Sequence, residues 1–408
     1  MTRPCRSCGA ALGAPVLDLG ETPISNAFRR LDDAAPDARY PLRLFVCPAC
    51  FLAQVQDVVP REALFHADYA YLSSESASWR QHVEAYAARM IAERGLGPAS
   101  TIVEVGSNDG ALSAAFARAG VRAIGVDPAA NAAGIAAAKG VETVVGFFGA
   151  ELAGELAADG VAADVMAANN VLAHVPDLND FVAGFARVLA PGGVATFEFP
   201  LVSALIAEGQ YDTIYHEHYS YLSLTALRPL FARHGLQMTD VERLTTHGGS
   251  VRLFVRHAGA AEVSPAVRAL EAQERAAELD SLAGYATLQE KAERHRARLR
   301  EFLAGLKREG RSIAAYAAPA KATTLLNWCG VGTETLAFAV DSAPTKQGRR
   351  IPGVGIPIYA PEHMAAHRPD VILILAWNLA AEIGCQLQPL VSAGSRLALP
   401  MPEPGFLA

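Results

Sequence analysis

The chain has 408 residues, 51% of them hydrophobic and 19% charged, with a formal net charge of -7 at pH 7. That length allows two or three domains, each with its own core. The acidic balance argues against nucleic acid as a partner, no apolar run reaches the roughly 20 residues of a membrane span, and the start MTRPCRSCG is no signal peptide, so a cytoplasmic location is expected.

The first motif in chain order is C-x-x-C-G at Cys5 and Cys8, answered by C-P-A-C at Cys47 and Cys50. Two such knuckles are the usual means of setting four thiolates tetrahedrally around zinc. Four thiolates leave no open coordination position, so the metal is expected to be structural. The intervening loop is longer than in common zinc ribbons, which makes the sub-fold non-standard. A pair of disulfides or a redox pair is the other reading, disfavoured in a cytoplasmic setting. Cys329 and Cys385 fall in apolar helical patterns and are expected in the core. After the second knuckle, Tyr69 and Tyr71 lie in a polar loop, where tyrosine serves either packing or chemistry, and a helix is predicted from near Ser78.

The stretch that organises the chain is Thr101 to Gly110, TIVEVGSNDG. A β-branched run, a glycine turn and a helical pattern from Ala111 make a nucleotide-binding βα unit, in which glycine lets the backbone approach a ligand. Dinucleotide sites need G-x-G-x-x-G to seat a pyrophosphate on a helix N-terminus. Here only Gly106 and Gly110 are glycine, Asn108 lies between them, and Glu104 precedes the turn. That pattern suits S-adenosylmethionine: it has no phosphate, its ammonium needs carbonyls and acidic groups, and its ribose needs a carboxylate, offered by Asp127. An ordinary tight turn is the competing reading of the loop alone. From Thr101 to about Phe199 strand and helix patterns alternate, predicting a parallel doubly wound sheet with its ligand at the carboxyl ends of the strands. Those ends carry Asp127, Phe148, Asn169, Asn170 and Glu198, and His174 follows the fourth strand.

The densest polar cluster is YDTIYHEHYSYLS, with Tyr215, His216, Glu217, His218, Tyr219 and Tyr221. H-E-H lacks the i, i+4 spacing of a helical metal site. If the piece is extended, Tyr215, Glu217 and Tyr219 face one way and the two histidines the other. General acid/base work suits it better than metal binding, because His titrates near neutrality and a neighbouring Glu can fix its tautomer; a solvated loop is the alternative. LTTHGGSVRLFV then sets His247, Ser250 and Arg252 around a Gly-Gly turn. Glu262 to about Lys307 reads as one or two long solvated helices between domains. Beyond it SIAAYA, APAKATTLLNWCG and TLAFAVD repeat the strand-turn-helix-strand logic, with VDSA at Asp341 echoing VDPA at Asp127, and VILILAW is predicted as a central strand. A dehydrogenase using this second sheet is disfavoured because APAKA offers no G-x-G-x-x-G.

Taken together, the four-Cys module, LDLGETPISNAF, EVGSNDG, NNVLAHVPD, FEFP, YHEHYSYLS, HGGSVR, YAAPAKATTLLN and PTKQGRRIPG resemble one family from end to end: the three-domain, S-adenosylmethionine-dependent C-methyltransferases of nucleotide-linked 4-keto-deoxysugars. In that family the C-terminal loop is more glycine-rich than AAPAKA. The resemblance implies an α/β chain with a zinc-binding module at residues 1–70, a class I methyltransferase (Rossmann-like) core at 71–260, and a helical linker with a second Rossmann-like domain at 261–408. It implies S-adenosylmethionine and structural zinc as cofactors. The implied activity is methylation of a keto-deoxysugar, expected on dTDP and at C-3, through an enolate; methylation at C-5, methylation of a sugar oxygen or nitrogen, and a non-catalytic zinc-ribbon scaffold are the alternatives. By motif position the implied catalytic groups are Tyr69, His174, Tyr215, Glu217 and His218. His218 is the expected base and Tyr215 its rival, Glu217 orients, and His174 and Tyr69 hydrogen-bond the ketone or enolate. The expected cofactor contacts are Glu104, Gly106, Asn108, Gly110, Asp127, Phe148 and Asn169. Tyr221, His247, Ser250, Arg252 and Lys321 are expected at the substrate, the last two as diphosphate cations. A monomer is expected.

Overall fold

The computed structural model describes residues 3–64, 72–244 and 249–407. Tyr69, Tyr71 and His247 lie outside the described residues.

Among the described residues, strands pair into three main sheets. The central one has seven strands in the order Leu236–Leu244, Ser250–His257, Leu189–Pro200, Ala163–Asn169, Thr101–Val105, Arg122–Asp127, Glu142–Val145. Ser250–His257 runs antiparallel to both neighbours and the remaining pairs are parallel. The β-branched run of Thr101–Val105 is buried on both faces, as a central parallel strand must be. Strand order reverses between Thr101–Val105 and Ala163–Asn169, so the ligand crevice of such a sheet opens beside Gly106 and Asn169. Helix starts are set by side-chain caps: Ser76 accepts from Trp79 N–H before Ala77–Arg94, and Asp177 accepts from the Asn179 and Asp180 amides before Leu178–Val188.

The zinc-module sheet joins Leu17–Pro23, Arg39–Val46 and Ala53–Val55 antiparallel, and its fourth strand is Ser220–Tyr221 from the catalytic cluster. The C-terminal sheet has eight strands. Val371–Ile374 is central in it as predicted, flanked by Ile313–Tyr316 and Arg396–Leu399. Its far edge is Arg29–Arg30, contributed by the N-terminal module. Sheet pairing therefore crosses both expected domain boundaries.

The linker forms two helices, Pro265–Ala276 and Leu288–Arg308. They are not solvated all round. Val267, Leu270, Leu288, Ala292, Leu299 and Leu303 are buried, and the buried Glu274 carboxylate accepts from the amides of Leu224 and Thr225, satisfying the start of Leu224–Arg233. Cys329 is a core residue as predicted, whereas Cys385 is exposed, because the apolar face of its short helix is carried by Ile383 and Gly384.

Candidate active site and metal centre

The four thiols of Cys5, Cys8, Cys47 and Cys50 converge, with all Sγ atoms within 4.8 Å of one another. The Cys5–Cys50 and Cys8–Cys47 separations are 3.6 and 3.4 Å. A tetrahedron with zinc–sulfur bonds of about 2.3 Å has edges of about 3.8 Å, while a disulfide needs about 2.05 Å. The geometry is that of a metal site. Backbone amides of Ser7, Ala49 and Cys50, and the amide group of Gln54, donate to the sulfurs, as thiolate ligands require. The ligand shell is closed, with Cys5, Cys47 and Cys50 buried and Cys8 half-buried, which suits a structural ion.

At the crevice of the central sheet, Gly106, Asn108 and Gly110 all adopt positive φ (69°, 49° and 75°). A Cβ on Gly106 would lie 2.4 Å from Val171 Cγ2, so only glycine lets the first-strand loop meet the fourth-strand loop here. Asp127 accepts from the amides of Asn108 and Ala129, both at 2.8 Å, and burial raises its pKa against those two bonds. The Asn169 side-chain oxygen and nitrogen are buried without a hydrogen-bond partner among the described residues. An unsatisfied amide, a carboxylate and a glycine cradle at one switch point fit the expected cofactor.

Two expected contacts sit differently. One oxygen of Glu104 takes both the amide (2.9 Å) and the hydroxyl (2.5 Å) of Ser113, pinning the helix Ala111–Arg118 to its strand, and burial pushes this carboxyl up to about 8. Phe148 is 7% exposed and packs edge-on against Phe181 and Phe185. It is first a core ring, with one edge on a cavity of about 250 Å³ that Arg61, Phe147 and Asp180 also line. Missing from the sequence prediction is a clasp over the loop. Asn108 Oδ1 accepts from Ser73 N–H, and the buried Asp109 accepts from the hydroxyls of Ser73 and Ser74 and pairs with Lys139 at 3.2 Å. Its one sequence signal was the serine-rich run before Ala77.

The Tyr/His/Glu cluster is not extended. It turns, with His218 N–H donating to Tyr215 C=O at 3.0 Å, so Tyr215 and His218 come together instead of facing apart. Their rings lie 4.0 Å apart and Tyr215 Oη is 2.6 Å from His218 Nε2. The His174 ring meets His218 edge-on at 4.6 Å. Burial pushes the His174 imidazole down to about 4, so it is neutral, and its Nδ1–H donates to Glu217 C=O at 2.7 Å. That tautomer leaves Nε2 as an acceptor. His174 is therefore unsuited to the predicted role of donor to a ketone. Glu217 is 2% exposed, and burial raises its pKa. Its Oε1 accepts from Asn26 N–H and Nδ2–H at 3.1 and 3.2 Å, and its Oε2 has no partner among the described residues. His216 turns away, buried with its ring edge-on to Tyr40 of the zinc module. Tyr221 accepts from Tyr215 N–H at 3.1 Å and so supports the turn.

The expected phosphate cations fare differently. Arg252 is 3% exposed and spends its guanidinium inside the protein, on Glu198 at 2.9 Å, on Glu242 at 2.6 Å and over the Tyr86 ring at 4.0 Å. Contrary to the sequence expectation, this buried, paired guanidinium is not available to a diphosphate. Lys321 opens the helix Ala320–Cys329, lies 3.9 Å over the Trp377 ring and donates to Asn378; burial lowers its pKa to about 8 against the pull of Asp212. Ser250 is buried with an unpartnered hydroxyl among the described residues.

Three family models match the chain: "Putative zinc binding domain" over residues 5–65, "Methyltransferase domain" over 78–241 and "C-methyltransferase C-terminal domain" over 245–402. C-methyltransferase NovU of Streptomyces niveus is 38% identical over 99% of this chain and 96% of its own length. A ubiquinone biosynthesis O-methyltransferase of Burkholderia thailandensis is 28% identical over 37% of this chain and 70% of its own. Among solved structures, magnesium protoporphyrin IX methyltransferase from Synechocystis with bound S-adenosylmethionine covers 43% of this chain and 79% of its own at 17% identity, with a TM-score of 0.33.

Proposed function

Since the chain belongs to the family of zinc-module C-methyltransferases that includes NovU, we propose that it methylates a nucleotide-linked 4-keto-deoxysugar, of the dTDP type, at C-3. It is an S-adenosylmethionine-dependent methyltransferase, and the bound cofactor supplies an electrophilic methyl group. Carbon methylation also needs a base to make the acceptor nucleophilic, whereas oxygen methylation often needs little beyond orientation. The observation that carries the reading is the Tyr215–His218 contact of 2.6 Å beside the neutral His174 and the buried Glu217.

In this reading Tyr215 O–H is the donor and His218 Nε2 the acceptor of that bond, a phenol being ordinarily the weaker acid. The C-3 proton, acidified by the C-4 ketone, passes to Tyr215 Oη as Tyr215 hands its own proton to His218. The pair is one base, with His218 ending as imidazolium, and the choice between two rivals becomes a division of labour. Glu217, whose pKa burial raises, accepts from Asn26 through Oε1 and leaves Oε2 to hold and orient the substrate at its oxygen-bearing carbons. His174 Nε2 accepts from a sugar hydroxyl. Asn169, Asp127 and the Gly106 loop hold the cofactor, and Lys321 remains the candidate cation for the diphosphate. By the resemblance alone, Tyr69 would hydrogen-bond the enolate and His247 would contact the substrate, and the chain acts as a monomer in the cytoplasm.

The test is incubation with S-adenosylmethionine and a dTDP-4-keto-6-deoxysugar in deuterated water, followed by mass spectrometry. Methylated product, with deuterium entering next to the ketone when the methyl donor is omitted, is the expected result. Neither methylation nor exchange across a panel of keto-sugars would overturn the reading.

A further inference from the structure

The zinc module does more than flank the core. Its loop after Leu17–Pro23 delivers Asn26 to Glu217, and both donors of Asn26 go to the same carboxyl oxygen, at 3.1 Å from the backbone and 3.2 Å from the side chain. The preceding residue is gripped from the other side: Thr323 Oγ1, on the C-terminal helix Ala320–Cys329, donates to Ser25 C=O at 3.0 Å. The adjacent Thr324 Oγ1 donates to Ile214 C=O at 2.8 Å, one residue before Tyr215. Both threonines are 1% exposed. Two neighbouring hydroxyls of one domain thus fix the two backbone segments that carry Asn26 and Tyr215, and the three domains meet on one carboxyl.

We propose that Asn26 is a positioning residue for the reaction: with its loop held by Thr323, it occupies Glu217 Oε1 and so aims the unpartnered Oε2 at the substrate oxygen. A carboxyl whose two oxygens are equivalent can rotate and present either; two donors on one oxygen remove that freedom. Because binding geometry tolerates little displacement when a barrier depends on it, the effect belongs on turnover and not on affinity. This inference rests on the role proposed for Glu217 in keto-sugar methylation.

The experiment compares Asn26→Ala, Glu217→Gln and the double variant, with Thr323→Val and Thr323→Ser, all as zinc-loaded full-length protein with S-adenosylmethionine and the dTDP-4-keto-6-deoxysugar. Asn26→Ala is expected to lower kcat by about 10-fold to 100-fold with KM for both substrates within about threefold. Acting only through Glu217, it should add nothing in the Glu217→Gln background. Thr323→Val, which keeps the shape and removes the hydroxyl, should lower kcat by about 5-fold, and Thr323→Ser should restore it. Losses that multiply in the double variant would overturn the inference while leaving the enzyme's activity established, as would a Thr323→Ser protein as impaired as Thr323→Val. A wild-type protein with no turnover and no exchange would instead bring down the functional reading, and the role of Asn26 with it. Melting temperature and zinc content identify a variant that has simply failed to fold, in which case the Thr323 pair decides.

Discussion

Replacing Glu104 by Gln is expected to change how stability depends on pH. The wild-type carboxyl is 7% exposed, and burial, reinforced by Asp127 and Asp109, pushes its pKa from the ordinary 4.5 to about 8 against the two bonds from Ser113. Its pKa is therefore raised in the folded protein. The folded state holds a proton that the unfolded chain has released, so the stabilisation is complete below about 4.5 and is lost as pH rises towards 8. At about 1.4 kcal/mol per pH step, the folded state gives up about 5 kcal/mol across that window if the carboxyl stays in place on ionising, and less if the loop opens to water. Gln keeps an oxygen to accept from the Ser113 amide and hydroxyl and carries no charge. The assay is urea unfolding at intervals from pH 5 to pH 8. The variant should match or fall below wild type at pH 5 and exceed it at pH 8. Parallel pH profiles for the two proteins would refute the account of Glu104 as a buried, protonated tether.

The other expectations concern the metal, the glycine loop and the base. Zinc should be present at one ion per chain, and Cys47→Ser or strong chelation should unfold the module and abolish turnover, as metal assay and circular dichroism would show, because such ions contribute on the order of 10 kcal/mol to folding. Gly106→Ala places a Cβ 2.4 Å from Val171 and forces alanine to a φ near 69°. A cost of about 2 to 4 kcal/mol should appear as a lowered melting temperature and weaker S-adenosylmethionine binding by calorimetry. Adding Val171→Ala should recover the steric part and leave the backbone part. Tyr215→Phe and His218→Asn should each lower kcat by about 100-fold to 10,000-fold, and both should suppress deuterium exchange next to the ketone. A variant that exchanges normally but does not methylate would remove its residue from the base.

Spacing and local pattern carried much of this into view before the fold was known. Two C-x-x-C pairs can converge because each knuckle already fixes two sulfurs, and TIVEVGSNDG specifies a strand, a positive-φ turn and a helix within ten residues. What stayed hidden depended on chain segments far apart in sequence. Nothing around Arg252 announced that Glu198 and Glu242 would neutralise it, and nothing around Ser73 announced Asp109. The alternation assigned to YHEHYSY failed because period-two reasoning holds only in a strand, and this segment turns at Tyr215 to close onto its own His218. The proton on His174 was likewise set by a carbonyl 43 positions away.

The two α/β domains show how one step of fold is put to different uses. In the core, Gly106 N–H donates to Val126 C=O at 2.8 Å, and Asp127 collects the amides of Asn108 and Ala129. In the C-terminal domain Ala317 N–H donates to Val340 C=O at 2.8 Å, and Asp341 collects the amides of Ala318 and Ala343. The backbone matches closely, with φ of 69° at Gly106 and 67° at Ala317. The chemistry differs. Ala317 carries a methyl where close approach of a pyrophosphate calls for glycine, and it holds a left-handed conformation that costs an L-residue about 1 to 2 kcal/mol. Asp341 is neutralised by Lys346 at 3.2 Å, whereas Asp127 has no ion-pair partner among the described residues. A carboxylate already matched by an internal cation gains little from ribose hydroxyls, while an unmatched one gains more. The same turn therefore favours the cofactor in the core and disfavours a dinucleotide in the C-terminal domain, which argues against dehydrogenase chemistry on the second sheet. That domain's threonines at 323 and 324 are instead tied to the loops of the catalytic cluster.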